Sequence, residues 1–199
     1  MKTTSSKILI LLLILSSNGL WFCEHTITPT MRAFIPGKIV INEVLYDPVG
    51  NNTGNQLIEL KNIGDEPVEL KGWWFCARQD YTQIPDVTIG PGEFLVAHIG
   101  VNSTNTAKDV YLPFMLTIQP ISDLNLYRDG NFTNPGSMVH YVQWGSVPPT
   151  NRLSEAITAG LWTAGDFVPG VVEGHSIEYD GSGNLSTDWF DQANPTIGF

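Results

Sequence analysis

Four histidines, His25, His98, His140 and His175, and two cysteines, Cys23 and Cys76, are the side chains best suited to hold a metal or to act as base or nucleophile. Their spacing argues against all three roles. No two histidines stand at helical spacing, and neither HExxH nor CxxC occurs, so no zinc ligand set assembles from local sequence. No GxSxG marks a nucleophile elbow. Cys76 lies between Phe75 and Ala77 with only Arg78 near enough to favour a thiolate, so it reads as a buried thiol that packs like a small hydrophobe. A disulfide to Cys23 is the alternative in an oxidising compartment. Asp129-Gly130 and the run Asp180-Gly181-Ser182-Gly183-Asn184 look like pieces of calcium loops, but they lack the spacing and the closing Glu of an EF-hand. Asp-Gly is also a hairpin-turn signal. No metal and no other cofactor is expected.

Two acids stand apart because each sits inside an apolar segment: Glu43 within Ile39–Tyr46 and Glu59 within Leu57–Ile63. The plain reading is that both point outward on alternate positions of a strand. The sharper reading is that one of them is partly buried and tied to Asn62 or to a backbone amide, holding two strands in register. Six tryptophans also offer flat faces on which a sugar ring stacks. Trp74 and Trp144, each beside polar neighbours, are the candidate ligand-binding residues. Burial is the competing expectation, since Trp is mostly covered in a sandwich of this size.

The elements that would position these residues are short strands. Ile39–Tyr46 and Leu57–Ile63 flank a Pro/Gly/Asn-rich connection, and Val68 and Leu70 alternate with Glu69 and Lys71. Trp73 to Ala77 carries bulk on both faces. Gly90-Pro91-Gly92 turns the chain into a strand at Phe94–Ile99. Tyr111–Ile118 is interrupted by Pro113 and reads as irregular or as an edge. Leu124–Arg128 and Ser137–Trp144 form a hairpin with a long loop. Arg152–Ala159 is the one helical piece, Ile177 and Tyr179 mark a last strand, and Trp189 and Phe190 are placed to cap one end. The fold class is all-β: an antiparallel β-sandwich with long loops and at most one short helix.

The order INEVLYDP, QLIELKNIGDEPVEL, KGWWF and IGPGEFLVA, with the closing IEYDGSGNLSTDWFDQANPTIGF, resembles the lamin tail domain in its bacterial, secreted form. The matching positions are Ile58-Glu59-Leu60, Asn62, Pro67 to Leu70 and Gly72-Trp73. Gln56 and Leu57 stand where the family pattern has an acidic residue and an aromatic. The resemblance implies an immunoglobulin-like sandwich from about Lys38 onward, with Trp73 in its core. It further implies a non-catalytic module for protein contacts or structure. Four glycosylation sequons, at Asn51, Asn102, Asn131 and Asn184, fall in expected loops and would stay unmodified in a bacterial host.

At the amino terminus Lys2 and Lys7 precede the unbroken apolar run Ile8–Leu15 and then small or polar residues, the pattern of a secretory signal with cleavage after Gly19. Residues 1–19 are read as signal peptide, 20–37 as flexible lead-in, and 38–199 as the domain. Lipidation at Cys23 would hold the chain on a membrane, but the bulky Trp21 and Phe22 just before it fit such a site badly. Cleavage would remove two of the ten basic residues and none of the twenty acidic ones, taking the formal charge from −10 to −12. With its basic residues scattered singly, the chain lacks the stripe that phosphate binding needs, so nucleic acid is excluded. The reading is an exported, non-catalytic domain acting as a protein-interaction or structural module at the cell surface or outside the cell. Its partner is an unidentified protein or surface, any membrane contact runs through a lipid anchor alone, and its oligomeric state is left open. The alternatives are a carbohydrate- or matrix-binding module with a row of exposed aromatics, and a calcium-dependent adhesion module with clustered loop carboxylates.

Overall fold

The computed structural model describes residues 37–113, 116–145 and 152–199. The expected signal segment at 1–19, all of the lead-in but Gly37, and Cys23 lie outside these residues. The larger sheet is built from β1 (Ile39–Leu45), β2 (Leu57–Asn62), β7 (Phe94–Ile99), β8 (Asp109–Leu112), β11 (Ser176–Tyr179) and β12 (Trp189–Gln192), in the order β12-β11-β1-β2-β7-β8. The smaller holds β4 (Trp74–Ala77), β5 (Asp80–Gln83), β9 (Ser122–Tyr127) and β10 (Met138–Trp144), in the order β10-β9-β4-β5. A ribbon of β3 (Val68–Glu69) and β6 (Thr88–Ile89) stands beside them. The core takes Ile41, Val44, Ile58, Leu60, Leu95 and Ala97 from the larger sheet and Phe75, Leu124, Leu126 and Val142 from the smaller, all fully buried. Each such large aliphatic or aromatic side chain contributes about 1.5–3 kcal/mol over its exposed state. This is the expected immunoglobulin-like all-β sandwich, with one short α-helix, α1 (Leu153–Thr158), among the described residues.

Three details differ from the sequence reading. First, β12 is a strand, where Trp189 and Phe190 were expected to cap an end; it pairs antiparallel with β11, Tyr179 opposite Trp189. Second, β8 runs parallel to β7, so the larger sheet has one parallel edge in an otherwise antiparallel arrangement. Third, β5 was not anticipated. Ala77 pairs with Asp80, so the β4–β5 hairpin closes on Arg78-Gln79, and Arg78 takes the positive φ of 54° that a glycine usually supplies in such a turn. The Asp123 carboxylate accepts the Arg78 backbone N–H at 2.8 Å and fixes that unusual conformation.

Two β-bulges decide which side chains face inward. In β1, Ile41 stands opposite Leu60 and Glu43 opposite Glu59, so Asn42 is the extra residue. Strict alternation from Ile39 and Ile41 would bring Glu43 into the apolar core; the bulge puts it on the outer face instead. In β10, Met138 opposes Tyr127 and His140 opposes Leu126, with Val139 as the extra residue. There the same device turns His140 inward.

Candidate functional site

Across the outer face of the larger sheet, Phe190, Glu178, Glu43, Glu59, Val96 and Asp109 form one row, each the cross-strand partner of the next. Four of the six are acids. The two outer ones are served by neighbours in water: Glu178 accepts from the Gln192 amide at 2.9 Å, and Asp109 meets His98 Nε2 at 3.0 Å and the Thr106 hydroxyl at 3.2 Å. The two inner ones, Glu43 and Glu59, are buried.

What buries them is the carboxy-terminal strap. Thr196 to Phe199 form a β-turn in which the Phe199 N–H donates to the Thr196 carbonyl at 3.1 Å. Gly198 at φ 88° occupies the turn position where a side chain would be strained. The turn directs its donors at the pair. Thr196 gives Glu43 its backbone N–H, at 3.0 Å to Oε1, and its hydroxyl, at 2.9 Å to Oε2, while the Gly198 N–H donates to Glu59 Oε2 at 2.6 Å. From the sheet, the Ser176 hydroxyl donates to Glu43 and the bulged Asn42 amide to Glu59 Oε1 at 2.7 Å. Both carboxylates are therefore satisfied by neutral donors. Burial holds the Glu59 carboxyl above its usual range; the Gly198 N–H and the Asn42 amide pull it back, and the charge of Glu43 pushes it further up.

The expectation that a buried glutamate is tied to Asn62 or to a backbone amide resolves in favour of the amide. Asn62 serves another junction. Its amide nitrogen donates to the Glu66 and Ile89 carbonyls at 2.7 and 3.0 Å, and its oxygen accepts the Lys38 and Gly64 N–H groups at 3.1 and 3.0 Å. One side chain thus ties the start of β1, the β2–β3 turn and β6. The departure at Gln56 also has a physical reason. Buried, it donates to the Tyr46 and Ile118 carbonyls, both at 2.6 Å, which an ionised acid could not do.

The tryptophans are placed differently from the sugar-platform expectation. Trp144 is fully buried, stacked on Tyr46 at 5.2 Å with its Nε1–H on the Gln119 carbonyl at 2.7 Å, so it presents no face to a ligand. Trp74 is half-buried with Phe132 edge-on to it at 5.5 Å. Trp73 is half-buried and packs against the core.

Of the histidines weighed as metal or base residues, His140 is a packed one. Buried between the sheets, it accepts the Ile41 backbone N–H on Nδ1 at 3.3 Å, which fixes a neutral ring, and burial pushes its pKa down to about 3. Its ring lies against Tyr179 and Trp189. On the other outer face, the Asp123 carboxyl is raised by burial, and the Cys76 thiol is pushed up to about 12 by burial first and the Asp123 charge second. Among the described residues no three His, Cys, Asp or Glu side chains converge as a metal site.

The Lamin Tail Domain family model matches residues 34–140, more than half of the chain. The chain belongs to the lamin tail domain family. No curated protein matches it. The match stops at His140, yet this lamin tail domain completes its larger sheet with later residues: β11 pairs with the second half of β1, and the strap then covers Glu43 and Glu59. The signal for that closure was in the sequence as Asn194-Pro195-Thr196-Ile197-Gly198, a turn-forming run, but nothing local names the acids it meets.

Proposed function

We propose that this lamin tail domain is an exported, non-catalytic module that makes protein contacts or serves a structural role at the cell surface or outside the cell. The observation that carries the reading is that its chemistry-bearing side chains are spent on the fold. His140 is a neutral acceptor for β1, Glu43 and Glu59 hold the strap, and Cys76 is buried with its thiol pushed up to about 12, far from a working nucleophile. The export half rests on the leader pattern of residues 1–19, and Cys23 is the alternative route to a membrane.

Cell fractionation with amino-terminal sequencing tests export: a mature chain beginning after Gly19 in the extracellular or surface fraction is expected, and an uncleaved chain in the cytoplasm overturns it. Cross-linking on intact cells tests the contact role, with a discrete adduct expected on the exported chain. Absence of any adduct, together with turnover of a substrate by the purified protein, would reverse the assignment.

The carbohydrate reading moves to a different place in the fold. His98 and Tyr111, both partly exposed at the β7–β8 edge, stack at 4.5 Å and 15°, with Asp109 beside them. On that reading Tyr111→Ala abolishes co-sedimentation with insoluble chitin or cellulose while Trp74→Ala does not. A wild-type chain that fails to sediment with either removes it.

A further inference from the structure

The strap and the acids beneath it form a receptor and its ligand within one chain. The slot is made by the sheet alone: Glu43 and Glu59 are cross-strand partners, their spacing is set by the β1–β2 ladder and the Asn42 bulge, and Ser176 comes from β11. The ligand is a small turn. All the strap's hydrogen bonds to the acid pair come from Thr196 and Gly198, while the tether at Ala193 and Asn194 is exposed. At Gly198 it is the backbone that selects glycine: an added Cβ would make only an ordinary contact with Val96 at 3.6 Å, but the φ of 88° is one that other residues rarely adopt.

Two features make this seat exchangeable. Recognition runs through backbone N–H groups and one hydroxyl, so nothing in it depends on which chain delivers the turn. The slot also survives a vacancy, because the strap is what buries the two carboxylates and its departure opens them to water, which supplies donors until a turn returns. The vacancy is refilled by a turn that presents the same two N–H groups and hydroxyl, and the strap of a second copy presents them in the same order.

We propose that the Glu43–Glu59 slot is a turn-recognition site that accepts the carboxy-terminal turn of a second copy of this chain in place of its own. The exchange is a strap swap, a low-cost route from a monomer to a dimer. In the intact chain the short tether gives the resident turn an effective concentration on the order of millimolar, so the exchange favours high protein concentration or a disabled resident strap. This site stands whether or not the chain is exported.

The test uses the full chain with its own strap disabled by Thr196→Pro and Gly198→Ala, which remove an N–H and a hydroxyl and strain the turn while keeping chain length. A fluorescent peptide of residues 193–199 is the probe, read by anisotropy. The strap-disabled chain is expected to bind it at least tenfold more tightly than the wild type. Adding Glu43→Gln and Glu59→Gln is expected to abolish that binding while the near-ultraviolet circular dichroism stays native. Equal binding to wild-type and strap-disabled chains, or binding that survives the two glutamine substitutions, overturns the proposal. Should the double variant not fold, Gly198→Ala alone replaces it, since it strains the turn and leaves every donor in place. Light scattering on a mixture of the strap-disabled chain with a Glu43→Gln, Glu59→Gln chain supplies the second reading. A one-to-one complex is expected only in the mixture, and two monomers overturn the exchange.

Discussion

The bulge in β1 and the bulge in β10 do opposite things with a polar side chain. Asn42 lets Glu43 leave the core for the outer face, where hydroxyl and N–H donors meet its charge; Val139 sends His140 into the core, where it stays neutral. The two are joined. β11 pairs with β1 at Glu43 and Val44, and the Ile41 N–H beyond that pairing is the group that His140 accepts. The difference teaches that the ionisation a site can support decides the side to which a polar residue is sent. A carboxylate goes where several N–H and hydroxyl donors converge, whereas an imidazole can be placed in the apolar core because it can shed its charge.

The largest effect comes from breaking the inward half. His140→Phe keeps an aromatic ring, a slightly larger one, but leaves the Ile41 N–H unpaired, and is expected to cost about 3 kcal/mol in denaturant unfolding. His140→Gln, which keeps an acceptor, is expected to recover part of that. His140 also sets an acid limb. Its folded pKa lies below the unfolded 6.5, so the unfolded chain binds the extra proton; the contribution to stability is complete above 6.5 and is lost as pH falls toward about 3. In that window the wild type should lose up to roughly 1.4 kcal/mol per pH unit more than His140→Gln. Parallel acid profiles for the two would show that the ring is not held neutral by the fold.

The outward half is broken more gently. Glu59→Gln sets an amide where two donors converge, and a loss of about 2 kcal/mol at neutral pH is expected in thermal melts. The pH dependence runs opposite in sign to that of His140. The folded pKa of Glu59 is raised, so its contribution is fully present below the unfolded 4.5 and is lost as pH rises through its folded value; Glu59→Gln should flatten that part of the profile. Thr196→Val removes one hydroxyl donor and keeps the N–H, for an expected loss of about 1 kcal/mol. A Thr196→Val chain as stable as the wild type would mean that water replaces the hydroxyl at Glu43.

The smallest effect is kinetic. Cys76 is buried with its thiol pushed up to about 12, so iodoacetamide followed by peptide mapping should label it only as fast as the chain unfolds. Labelling in the native state at the rate of a free thiol would show that the segment carrying Trp162, which packs on Tyr141 of the same face, opens away from it.

Much of this molecule could be read from its residues. Alternating apolar positions in Leu57–Asn62 and Phe94–Ile99, and Gly/Pro turns between them, place both strands and their inward faces, because burial of one face leaves a period of two in the sequence. The family order in INEVLYDP, IELKN and KGWWF carries the sandwich as well. β5 was hidden because its turn uses Arg78 in place of glycine and is held by Asp123, distant in sequence. The candidate site was half legible: Glu43 and Glu59 stood out as acids in apolar segments, but their cover did not.

The sequence by itself determined that this is an all-β lamin tail domain with two acids in its first strands, since composition, period and motif order are local properties. The tertiary structure alone decided that Asn42 bulges and turns Glu43 outward, that His140 faces in, and that Thr196 and Gly198 close over the acid pair. Those outcomes depend on partners up to 153 residues away along the chain, and a hydrogen bond between such distant groups leaves no pattern in either segment.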